Sequence, residues 1–156
     1  WATLTRLIRD AEEKGDRTMD REKILTALNR ALAQEHACFI RYKTHAAVIT
    51  GPYAKPISEQ LDEIAEDEER HARDLRDRIT GLGGTPTMEV TEADLIPAAT
   101  LEEILRVNVE EEKKAIALYQ EILDMIPREQ RLLYETIEHI LQDEQEHLEE
   151  LQRLQS

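Results

Sequence analysis

Only one cysteine, five glycines and five prolines occur in 156 residues, and aromatic side chains make up only 4% of the chain. A lone Cys38 excludes an internal disulfide framework and any zinc site built on paired cysteines. It falls inside a helical apolar pattern, where a small buried thiol is expected. No apolar run approaches the ~20 residues that span a bilayer, and nothing resembles a secretory signal. No membrane partner is therefore expected, and the cytoplasm is the default address. Positive charge is also scarce. Twenty Lys and Arg against 34 Asp and Glu leave a formal net charge of −14. Such a field repels nucleic acid and anionic lipid but attracts metal cations.

The few glycines and prolines sit in clusters, a distribution that suits long helices. The expected class is all-α. Residues 1–19 hold a short amphipathic extension, Leu4 to Lys14, stopped by Gly15. The domain proper is expected over 20–156. Asp20 is a plausible cap for a first helix that runs to about Thr50, where Gly51-Pro52 interrupts it. A second helix is expected from about Ser58 to Thr80, ended by Gly81-Leu82-Gly83-Gly84. Residues 81–99 read as a linker with Pro86 and Pro97. Thr100 and Glu103 form a capping-box pattern that opens a third helix, which stops at Pro127. The fourth runs from about Glu129 to the end. Two short turns and one long connection predict a four-helix bundle with a crossover between its second and third helices.

Alternating spacings of three and four trace the face that each helix turns inward. The seams read Leu25, Leu28, Leu32, Glu35, Phe39, Tyr42 in the first helix and Leu61, Ile64, Glu68, His71, Leu75 in the second. They continue with Leu101, Leu105, Asn108, Glu112, Ile116, Tyr119 and with Ile137, Ile140, Glu144, His147, Leu151. A carboxylate interrupts each stripe near its middle, and in two helices a histidine follows three residues later. Burying an ionised carboxylate without a partner costs several kcal/mol, which four together would make prohibitive for a domain of ordinary stability. The seams carry no central Lys or Arg, so cations are expected. Glu35 lies 16 residues before Gly51 and Glu68 lies 17 after it; Glu112 lies 15 before Pro127 and Glu144 lies 17 after it. Two hairpins folded there bring all four carboxylates level. Two divalent ions balance their charge, and His71 and His147 complete the set, one per ion. Asp67 and Asp143 precede the two glutamates; they are either placed to orient the histidine of the opposing helix or are surface residues that flank the seam. Tyr42 is a candidate hydrogen-bond partner or electron donor to the site. Tyr119 is expected to pack, His45 to lie in the core, and His36 and His139 to be solvated. In the run Glu110-Glu111-Glu112, only Glu112 is expected to face inward.

These residues, in order and separation, resemble the ferritin-like superfamily, and within it the bacterioferritins. The architecture of two glutamates and two Glu-x-x-His pairs on four helices is the one described for that class. The resemblance implies a di-iron centre that oxidises Fe(II) with O2 or H2O2, with Glu68 and Glu144 bridging the ions. Glu35 with His71, and Glu112 with His147, would then be terminal ligands. It also implies two metal ions per chain and a homo-oligomer, at least a dimer. Imidazole and carboxylate suit iron, and also manganese or zinc. Three departures bear on this. Glu69 stands where bacterioferritins place the haem methionine, so no haem is expected. No fifth helix follows His147, so a closed storage shell is not expected. The extra third-helix glutamate of rubrerythrins is missing, with Val109 and Ala115 at the flanking positions, and no Cys-x-x-Cys module is present. DNA protection of the Dps kind, whose ligands lie between subunits, is disfavoured by the charge and by a ligand set drawn from one chain. The alternatives are a non-storage di-metal oxidase or peroxidase, and a metal-binding protein without catalysis. An organic substrate would need an apolar tunnel beside the metals, for which helices without insertions leave little room.

Overall fold

The structure, a computed structural model, consists of helices α1 (Ala2–Val48), α2 (Ala54–Gly81), α3 (Leu101–Met125) and α4 (Arg131–Gln155). Residues 1, 2 and 4–20 lie outside the described residues. So do the expected extension over 1–19, its stop at Gly15 and the cap at Asp20.

The turns form where the sequence supplies their chemistry. Gly51, with φ of +107°, turns the chain between α1 and α2 in a region that side chains rarely adopt. Ser58 Oγ then donates to the carbonyl of Ala46 at 2.8 Å, satisfying an orphan acceptor in the last turn of α1. At the end of α2, the amides of Leu82, Gly83 and Gly84 donate back to Arg78, Thr80 and Ile79 at 3.0, 2.9 and 2.9 Å. Gly83 supplies the left-handed φ of +76° that this closure requires. Helix α3 begins with the expected capping box. Thr100 accepts from the Glu103 amide at 3.2 Å, and the Glu103 carboxylate accepts from the Thr100 amide. Pro127, without an N–H, follows its end.

The crossover between α2 and α3 contains a short 3-10 turn, Glu92–Asp94, and lies along α1. Its irregular backbone needs partners, and α1 side chains provide them. Asn29 donates to Thr85 O at 3.1 Å and accepts from the Thr87 amide at 2.8 Å. His36 meets Glu89 O at 2.7 Å, Arg41 donates to Asp94 O at 2.9 Å, and His45 meets Ile96 O at 2.9 Å. Higher residue numbers on the crossover pair with higher numbers on α1, so the strap runs parallel to α1. It delivers α3 to the C-terminal end of α1, pointing back. Consequently α1 and α3 are antiparallel, as are α1 with α2 and α3 with α4. His36, expected to be solvated, is instead a strap contact, because a carbonyl of the crossover lies over it; His139 is exposed as expected.

The apolar core comes in two pieces. One gathers Leu28, Leu32, Leu75, Ile79, Ile122, Ile137 and Ile140. The other gathers Tyr42, Ile49, Leu61, Ile64, Ile104, Leu105 and Leu151. The layer between them is polar. Leu28, 0% exposed, anchors the first piece. Leu28→Ala is expected to lower stability by about 2–5 kcal/mol in a urea unfolding titration.

Candidate metal centre

All six residues singled out in the seams meet in that polar layer. Glu35 comes from α1, Glu68 and His71 from α2, Glu112 from α3, and Glu144 and His147 from α4, and all are buried. Two sets of four have ligand atoms within 4.8 Å of one another: Glu35, Glu68, His71 and Glu144 form one, and Glu68, Glu112, Glu144 and His147 the other. Glu68 and Glu144 belong to both. The geometry therefore contains two adjoining positions for an ion, with two carboxylates shared between them.

The imidazoles are oriented from outside. His71 Nε2 donates to Asp143 Oδ2 at 2.9 Å, and His147 Nε2 donates to Asp67 Oδ2 at 2.9 Å. Each aspartate thus reaches the histidine of the opposing helix. Their Nδ1 atoms are turned inward, 3.1 Å from Glu68 Oε2 for His71 and 3.3 Å from Glu144 Oε2 for His147. Arg70 joins the two aspartates, with Nη1 at 2.7 Å from Asp67 Oδ1 and Nη2 at 3.1 Å from Asp143 Oδ2. The hydrogen bond from His71, with help from Arg70, holds the Asp143 carboxyl at about 2 despite its partial burial. The hydrogen bond from His147 likewise lowers Asp67.

Inside the layer, burial and the neighbouring charges of Glu68 and Glu144 push the carboxyls of Glu35 and Glu112 well above the ordinary range. Glu68 and Glu144 are held low: burial opposes this, but hydrogen bonds from His147 and His71 outweigh it. Both imidazoles are raised, because the surrounding carboxylates overcome desolvation. Protons on these four groups thus offset the charge of the carboxylates. They leave Glu35 Oε2, Glu68 Oε1 and Glu112 Oε2 buried with no hydrogen-bond partner among the described residues. Buried acceptors without donors are costly. Oxygen and imidazole donors facing one another at these separations fit divalent first-row metals.

Comparison with known proteins agrees with this arrangement. Residues 25–156 match the ferritin-like domain family. This chain belongs to the ferritin-like family. It is 28% identical to a bacterioferritin of Desulfovibrio desulfuricans over 136 residues, covering 86% of this chain and 75% of that protein. It is 30% identical to a DNA protection during starvation protein of Pyrococcus furiosus over 138 residues, covering 83% and 75%. A solved ferritin-like, diiron-carboxylate protein of Bacillus anthracis superposes with a TM-score of 0.83 at 29% identity, covering 88% of this chain and 98% of that one.

Within this ferritin-like bundle several residues differ from the sequence expectation. Tyr119, expected only to pack, is fully buried and donates its hydroxyl to Glu35 Oε1, while Tyr42 donates to Glu112 Oε1. Each tyrosine thus reaches across to the carboxylate of the antiparallel helix. The signal was present: Tyr42 and Tyr119 each lie seven residues after a seam glutamate, one below the other on two helical turns. Glu111, expected to face out, is buried between Lys114 at 2.8 Å and Arg41 at 3.7 Å. The seam reading also passed over Arg41 itself, which lies beside the seam and is buried beneath the crossover. Arg70 sits inside the Asp-Glu-x-x-His segment, three residues from Asp67, a spacing that faces the two together. His45 and Cys38 are buried, as expected. A groove of about 500 Å³ between α1, α2 and the crossover reaches Glu35, lined also by Phe39, Glu69, Ala72, Arg76 and Met88. This groove is open to the surface and carries Glu69 and Arg76 in its lining, so it is not an enclosed apolar tunnel; the crossover forms its outer wall.

The protons held on Glu35, Glu112, His71 and His147 must leave when cations enter, since ligands bind deprotonated. Their pKa values lie above those of the free groups, so affinity is expected to rise with pH. Addition of Mn(II) to unbuffered apoprotein should acidify the solution, and calorimetric affinity should increase from about pH 6 to about pH 8.

Proposed function

We propose that this chain is a ferroxidase-type member of the ferritin-like family, oxidising Fe(II) with O2 or H2O2 in iron handling or defence against peroxide. The observation that carries this reading is the pair of adjoining four-ligand sets sharing Glu68 and Glu144 in the centre of the bundle. Glu35 with His71 and Glu112 with His147 are assigned as the outer ligands of the two positions. Asp67 and Asp143 are assigned as the groups that fix the imidazole rings. Fe(II) bound there as substrate would give up one electron per ion, so two ions would supply the electron pair which, with two protons from solvent, reduces O2 to H2O2 or H2O2 to two molecules of water.

What the chain contributes is binding, charge and access. Four carboxylates balance two divalent cations, so loading makes the layer electrically neutral where the empty layer holds protons. Arg70 keeps Asp67 and Asp143 anionic, and they fix the Nε2–H of each ring, leaving Nδ1 free to donate its lone pair inward. Tyr42 and Tyr119 occupy one oxygen each of Glu112 and Glu35, leaving the orphaned oxygens as donors. The two phenols lie against the carboxylates and are oxidisable side chains in direct contact with them. The apolar clusters on either side exclude bulk water from the layer. We assign no haem, because Glu69 offers a carboxylate where a thioether is needed. We further assign a homo-oligomer, at least a dimer, a cytoplasmic address and no nucleic-acid partner. The name of the Pyrococcus relative concerns DNA protection, but a net charge of −14 repels a polyanion. Among the described residues no helix is long and apolar enough to cross a membrane.

The groove that ends at Glu35 favours one second reading, a di-metal oxidase or peroxidase acting on an organic molecule. Stopped-flow absorbance after mixing apoprotein with Fe(II) and O2 separates the two. The ferroxidase reading expects Fe(III) absorbance to develop at least ~100-fold faster than in buffer, with loss of that acceleration in Glu68→Ala, which removes a ligand common to both positions. Iron that binds and stays ferrous until an organic substrate is added would support the second reading instead.

A further inference from the structure

The centre has an internal pseudo-twofold order. Glu35 and Tyr42 on α1 correspond to Glu112 and Tyr119 on α3, and the Asp-Glu-x-x-His segments of α2 and α4 correspond to each other. Beyond these residues the correspondence fails. Beside Tyr42 stands Arg41, and the matching neighbour of Tyr119 is Leu118. His45 and Asn108, around Arg41, match Ile122 and Ala31 in the other half.

Arg41 is 2% exposed, an unusual place for a guanidinium. Its Nε donates to Asn108 Oδ1 at 2.9 Å, and Nη1 donates to Asp94 O at 2.9 Å. Asn108 Nδ2 in turn reaches His45 Nδ1 at 2.9 Å and Ile104 O at 2.8 Å. Glu111 lies 3.7 Å away and balances the charge. The guanidinium carbon sits 5.4 Å from the centroid of the Tyr42 ring. A cation at that distance is attracted to the ring face, and the Tyr42 hydroxyl donates a hydrogen bond to Glu112 Oε1. Crossover, Arg41, Tyr42 and Glu112 thus form one chain of contacts, and among the described residues it has no counterpart beside Tyr119 and Glu35.

We propose that Arg41 is a positioning residue for the Glu112–His147 half of the centre. Acting through Tyr42, it fixes Glu112 with one oxygen bound to the phenol and the other directed to the ion. Among the described residues the Glu35–His71 half lacks such a brace. The two metal positions are therefore unequal: the crossover supports one of them through Arg41 and only walls the groove beside the other. This rests on the two-ion reading of the centre.

The test is a titration of apoprotein with Co(II), following visible absorption and heat, in wild type, Arg41→Met, Tyr42→Phe and the double variant. Wild type is expected to bind two ions per chain. Arg41→Met should weaken one of them by at least ~10-fold, the usual scale for losing an outer partner of a ligand, and leave the other unchanged. In the Tyr42→Phe background the same substitution should add little, because the link is already broken. Leu118→Met, the matching position, should leave both affinities as they are, and thermal unfolding of each apoprotein reports whether the bundle is intact. Unchanged or tighter binding in Arg41→Met, equal weakening of both ions, or full additivity with Tyr42→Phe would each overturn the proposal. A variant that does not fold passes the decision to Tyr42→Phe, which must then weaken one ion selectively. Failure of wild type to take up two ions would instead remove the two-ion reading itself.

Discussion

Glu35, Glu68, Glu112 and Glu144 are each at most 2% exposed and share one layer across the bundle. Like charges this close, out of water, repel strongly, and no hydrophobic gain nearby acts on them directly. Positive charge has to come from within the layer. Without cations, protons on Glu35, Glu112 and the two imidazoles supply it, yet among the described residues three carboxylate oxygens find no donor. The apolar clusters above and below have to hold the helices together across this layer. The fold thus keeps a site in which cations can take the place of protons.

That constraint also explains the outer parts. An imidazole among carboxylates needs its far nitrogen fixed, and Asp67 and Asp143 do this from opposing helices. Two aspartates facing each other need a counter-charge, which Arg70 supplies at the rim. The carboxylates of α1 and α3 are steadied by tyrosines from each other's helix. All of these contacts except Arg70–Asp67 cross between helices, so the polar layer specifies how the four helices register. Apolar seams alone would tolerate a shift of one turn; interlocked hydrogen bonds do not.

The bundle, its crossover and the six inward residues were legible in the sequence because each follows from a period or a count. A carboxylate within an apolar stripe marks the interior, and equal distances from Gly51 and Pro127 place the four at one height. Thr100 and Glu103 announced the start of α3 through a local motif. What escaped depends on the crossover. Its path along α1 buries Arg41 and converts His36 from a solvated side chain into a hydrogen-bond partner. The same strap brings Asp94 over Lys114 and Glu111. Helical periodicity describes one helix against its neighbours and carries no information on where an irregular segment lies. Tyr119 escaped differently: its spacing was visible, but a seam tyrosine packs in either case, and its acceptor sits on another helix.

The proposed chemistry requires two cations in the buried carboxylate layer, sharing Glu68 and Glu144. Anomalous diffraction from crystals soaked in Mn(II) or anaerobic Fe(II) would locate them. Two peaks per chain are expected, about 3.5–4 Å apart as in other two-metal sites, one between Glu35 and His71 and one between Glu112 and His147. A single peak in the layer, or metal found only at the acidic surface, would contradict it.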